Sequence, residues 1–132
     1  MIETGVLIGF EGEPLFWLEP PGRSATSIPD TRELWNRIWE HRATLQGFAH
    51  SHPGSGTPWP SHEDLTTFAA VESALGRRLV WWITSRSALA HVFWQGPKPH
   101  DYSVMAQESR PSWLLELRAR TDYEGKNLWK IS

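Results

Sequence analysis

Two histidines two positions apart, His50 and His52, close a run that holds Leu45, Phe48 and Ala49. In an extended strand, side chains at i and i+2 leave the same face, so both imidazoles can converge on one point. Pro53 ends that strand, because it has no N–H to give to a ladder. A loop rich in Gly, Pro and Ser follows, up to Ser61, where a helical pattern begins. Ser61 and Asp64 stand in the S-x-x-D relation of a capped helix start, which sets the Asp64 carboxylate in a first turn, free to face back toward the strand. Two neutral imidazoles, one carboxylate and an open fourth position are what a catalytic zinc ion needs. His62 lies beside the set but turns about 100° from Ser61 on a helix, so it reads as solvent-facing or outer to the site. His41, His91 and His100 have no metal-ligand spacing.

These side chains need a strand and a helix start held together, and the rest of the chain supplies the frame. Residues 1–10 read as a strand whose Val6, Leu7 and Ile8 are buried on both faces, bracketed by Gly5 and Gly9. A turn through Glu11, Gly12 and Glu13 leads to a second strand over 14–18. Pro20, Pro21 and Gly22 break it, and a loop runs to about Ile28. The spacing of Leu34, Trp35, Ile38 and Trp39 predicts a helix over 31–42 with that stripe in the core. A second helix over 61–75 carries Leu65, Phe68, Ala69 and Leu75, and Gly76 is a natural stop. Strands over 79–84 and 88–94 form a hairpin through Ser85, Arg86 and Ser87, with Trp81 and Trp82 as core. From Gly96 and Pro97 to about Arg110 the chain reads as irregular, before a short helix around Trp113, Leu114 and Leu117. Residues 123–132 carry the cluster Leu128 and Trp129 and suit no clear element. The expected class is α/β with a mixed sheet and helices packed on it.

At 132 residues one domain is expected, with a real core. The net charge of −2 offers no footprint for nucleic acid. With no cysteine, disulfides, thiolate zinc sites and cysteine nucleophiles all drop out, so a metal must be held by His and carboxylate. No apolar run approaches the ~20 residues of a membrane span, and no signal-peptide pattern opens the chain. A cytoplasmic protein is the default expectation.

The spacing His50-Ser51-His52-Pro53, seven residues over 54–60, then Ser61-His62-Glu63-Asp64 resembles the signature of the JAMM (MPN-plus) zinc metalloproteases. Five fixed positions at ordinary composition odds coincide by chance in roughly one chain in 10⁵. The resemblance implies an MPN-like (cytidine-deaminase-like) mixed sheet flanked by helices, with His50, His52 and Asp64 as zinc ligands. It implies that an upstream glutamate moves protons, and Glu3, ahead of Thr4-Gly5-Val6-Leu7-Ile8-Gly9, fits that pattern. It also implies that the Ser61 hydroxyl helps hold the oxyanion, beside its structural use as a helix cap. Trp59, between Pro58 and Pro60, reads as an aromatic wall for substrate or as a ring folded onto its own loop.

Members of that family usually cut the amide after the C-terminal Gly of a ubiquitin-like protein, whose extended tail often pairs with a sheet edge. This compact chain resembles members from prokaryotic ubiquitin-like conjugation and antiviral operons. Processing of sulfur-carrier proteins is the alternative within the same chemistry. A non-catalytic MPN scaffold and a small-molecule amidohydrolase are the alternatives outside it. In the family a strand and a helix usually precede the glutamate, whereas two residues do here. That departure predicts either a shortened chain or a sheet edge covered by a partner or a second copy, and a Glu3 ordered only on binding. Imidazole protonation predicts loss of activity below about pH 6.

Overall fold

Six strands and three helices build a mixed sheet covered on both faces, in a computed structural model that describes residues 1–20, 22–24 and 31–125. The strands are β1 (Gly5–Gly9), β2 (Pro14–Leu18), β3 (Leu45–Ser51), β4 (Val80–Thr84), β5 (Leu89–Trp94) and β6 (Tyr102–Ala106), in the order β2-β1-β3-β4-β5-β6. The helices are α1 (Arg32–Glu40), α2 (His62–Leu75) and α3 (Leu114–Thr121). Among the described residues only the β3–β4 pair is parallel, and α2 supplies the crossover such a pair needs. β1 is buried throughout, as its unbroken apolar run predicts. The loop up to Ile28 and the Leu128 and Trp129 cluster fall largely or wholly outside the described residues.

Two cores follow from strand alternation. Leu7, Trp81, Ile83 and Val92 face Ile38 of α1 and Phe68 and Val71 of α2. Val6, Ile8, Ala49 and Trp82 face Trp113, Leu114 and Leu117 on the other side. Gly47 lets β3 approach β4, since a Cβ there would overlap the Val80 carbonyl. α2 starts at a reciprocal capping box, Asp64 N–H to Ser61 Oγ at 3.0 Å and Ser61 N–H to Asp64 Oδ2 at 2.9 Å. It stops at Gly76, whose φ of 70° is left-handed.

Two expectations need correction. Residues 102–106 are not irregular but form β6, antiparallel to β5. As an edge strand with Ser103 and Met105 facing out, it lacks the apolar run that marks a buried strand. The α1 stripe is not all core either: Trp39 is 54% exposed, its ring covered by Arg42 instead.

Glu72 of α2 is a buried carboxylate that the apolar stripe conceals. It accepts from Leu79 N–H (2.8 Å), the Trp81 indole (3.1 Å), Arg78 (3.1 Å) and the Tyr102 hydroxyl. Burial and this carboxylate push the Tyr102 hydroxyl well above its usual range, so it stays a donor. Glu72→Ala strands those donors and is expected to cost about 3 kcal/mol or more. Thermal melts beside Glu72→Gln, which keeps an acceptor for Leu79 and Trp81, should show the larger loss for alanine. Equal melts for both would refute this account.

Candidate metal centre

Alternation along β3 sends Phe48, His50 and the following His52 to the face shared with α1 and α2, while Ala49 and Ser51 point to α3. The two Nε2 atoms lie 3.0 Å apart. The capping box turns the Asp64 carboxylate onto both of them, Oδ1 at 3.4 Å from His50 and Oδ2 at 3.0 Å from His52. Tetrahedral zinc with ligands at ~2.0–2.1 Å sets its donor atoms about 3.3 Å apart, so this triad fits the ion. His50 is 3% exposed, and its Nδ1 has no partner among the described residues. Its ring is therefore set by packing against Phe48 and Phe68, not by the acceptor that metal-bound histidines usually have.

Glu3 belongs to the same cluster. Among the described residues, Glu3, His50 and His52 each offer a donor atom within 4.8 Å of the others. Either carboxylate could thus complete a ligand set with the imidazoles; Asp64 touches both rings, and Glu3 lines the cleft beside them. Burial pushes the Glu3 carboxyl up, against the lowering charge of the two histidines, which suits a group that must take and return a proton.

Glu3 is not loose, contrary to the expectation drawn from its place near the chain start. It is 5% exposed, and its N–H donates to the Ser24 carbonyl at 2.7 Å. Its neighbours are tied on both sides: Ile2 N–H to the Thr121 carbonyl (2.8 Å) and Thr4 N–H to Ser51 Oγ (2.9 Å). The Thr121 hydroxyl in turn lies 2.8 Å from Ser51 Oγ. The residue between the two histidines therefore fastens the glutamate segment to α3. His52 is fixed in the same manner, its N–H on the Thr84 carbonyl (2.8 Å) and its carbonyl accepting from the Tyr123 hydroxyl (2.7 Å). Ser51, Thr121 and Tyr123 were invisible in the sequence, because these contacts join residues about seventy positions apart.

Ser61 sits exposed at the cleft, its oxygen accepting from Asp64 N–H. The loop 54–60 is stapled to the β4–β5 turn, by Arg86 N–H to the Gly54 carbonyl and Ser85 Oγ to the Gly56 carbonyl. Trp59 stands out of that loop, 68% exposed, and is not among the residues lining the cleft. His62 is exposed as expected, its ring 6.0 Å from that of His100.

For His50, burial lowers the pKa, but the Asp64 hydrogen bond and the Asp64 and Glu3 charges outweigh it and the net direction is up. A protonated imidazole cannot ligate, so a raised pKa means that protons compete from a higher pH. Zinc affinity is therefore expected to decline already above the ordinary histidine value of about 6.5 as pH falls, earlier than the pH 6 that the residue types alone suggest. Competition titrations with a zinc chelator from pH 8 to 5 check this; an affinity flat down to pH 6 would contradict it.

No protein-family model matches the chain, and no curated protein matches it. No helix among the described residues is long and apolar enough to cross a membrane.

Proposed function

We propose that this chain is a zinc-dependent peptidase of JAMM type on an MPN-like fold, cleaving after the C-terminal Gly of a ubiquitin-like protein. The observation that carries the reading is the convergence of His50, His52 and Asp64 donor atoms at 3.0–3.4 Å beside a buried Glu3. The two imidazoles and Asp64 would hold the ion. Zinc bound there would lower the pKa of a water to about 7 and polarise the substrate carbonyl. Glu3 takes the proton of the attacking water and returns it to the departing amine. Ser61, whose oxygen is occupied as an acceptor, keeps its proton to donate to the developing oxyanion. The outer edges of β2 and β6, which no strand covers among the described residues, offer main-chain partners to an extended tail, or to a second copy.

A ubiquitin-like protein fused through its terminal Gly to a reporter tests this. The purified protein is expected to carry about one zinc per chain and to release the reporter. A chelator should stop release and added zinc restore it. A zinc-loaded protein that leaves such fusions intact would remove the reading.

A further inference from the structure

The metal-site residues open onto a cleft of about 310 Å³ between α1 and α2. We propose that this cleft takes one bulky, uncharged side chain, aromatic or branched, of the substrate residue that follows the scissile amide, since the residue before it is the terminal Gly. The assignment rests on the amide-hydrolase reading above and adds the substrate's chemistry to it.

Phe48 sits on a central strand, on the face that two helices cover, where a side chain is ordinarily sealed. It is only half-buried, as are Leu34 and Trp35 on α1. Among the described residues the helices therefore leave a gap over the sheet, walled by apolar side chains and floored by Trp81, whose ring stacks on Phe68 at 4.0 Å. The floor is held rigidly, since the Trp81 indole donates to Glu72. An apolar wall open to water costs stability unless something covers it. At one end of the gap stand Glu3, His50, His52 and Asp64, so an occupant reaches the reacting bond directly. Among the described residues no Lys or Arg lines the cleft, while Glu63 stands at its rim, which disfavours an acidic side chain. A cavity of about 150 Å³ holds benzene. Twice that volume accommodates an amide at the donor set and one ring or branched chain beside it, but not a run of several residues.

Intrinsic tryptophan fluorescence of the zinc-loaded protein reads binding, because Trp35 and Trp81 line the cleft. The probes are N-acetyl amides of phenylalanine, leucine, glycine and aspartate. The phenylalanine and leucine probes are expected to bind at least about tenfold tighter than the glycine probe, with the aspartate probe weakest. Thr67→Trp, at an exposed rim residue of α2, should erase that preference by plugging the mouth, while Thr67→Ser keeps it. In parallel, cleavage is followed for ubiquitin-like fusions that keep the Gly before the cut and vary the residue after it. Rates at least about tenfold higher with a bulky residue after the cut than with Gly or Asp there are expected. If nothing is cleaved but the probe preference and its loss in Thr67→Trp persist, the hydrolase reading falls and the cleft stands only as a pocket for a bulky, uncharged side chain. If fusions are cleaved regardless of flanking residue and all probes bind alike, the cleft assignment is overturned and the hydrolase reading survives.

Discussion

Replacing Glu3 by glutamine is expected to lower amide cleavage by about 10³-fold or more while leaving zinc content unchanged. The amide keeps the size and the hydrogen-bonding reach of the side chain but cannot shuttle a proton. Glu3 lies within 4.8 Å of both imidazole donors, and burial already lifts its carboxyl toward the pH at which a base can also act as an acid. The ties to Ser24, Thr121 and Ser51 run through the backbone around it, so the variant should fold and melt like the parent. Metal analysis, thermal melting and cleavage rates on one preparation separate the outcomes. If zinc is lost with Glu3→Gln, Glu3 is a ligand and the roles assigned to the two carboxylates must be exchanged.

Asp64→Asn and His52→Ala are expected to reduce zinc affinity by at least about 100-fold and to abolish activity with it. The asparagine is the sharper of the two. Asp64 has two duties, accepting Ser61 N–H at the start of α2 and approaching both imidazoles. The hydrogen bonds from His50 and His52 outweigh burial and hold its carboxyl well below the usual carboxylate range, so it is charged at every working pH. Asparagine retains a cap acceptor and loses that charge. Zinc loss with an unchanged melting temperature in metal-free buffer assigns the charge to ligation. Parallel loss of helix stability and full retention of zinc would assign Asp64 to capping alone.

The convergence of His50, His52 and Asp64 was legible in the sequence because each of its parts is local. His50 and His52 share a face by strand alternation alone, and the Ser61-to-Asp64 spacing carries its own cap geometry. The mixed sheet was legible for the same reason, from apolar runs and the Gly76 stop. What escaped is long-range. Nothing near Ser51 in the chain announces that Thr121 will meet it, and nothing near Glu3 announces that α3 will hold it. The cleft escaped for a different reason. The apolar stripe on α1 looks the same whether the helix packs flush on the sheet or stands off from it, so Leu34 and Trp35 read as core although they line a gap. Glu72 was hidden likewise: one acid among apolar neighbours reads as surface until its four donors arrive from β4, β6 and the turn before β4.

The fastening of Glu3 through Ile2, Ser51 and Thr121 has a temporal consequence. A ribosome emits the glutamate and the paired imidazoles long before it emits α3, so a nascent chain can bring His50, His52 and Asp64 together while Glu3 still lacks its anchor. For the peptidase proposed above, competence would then arrive late in synthesis, once α3 has docked.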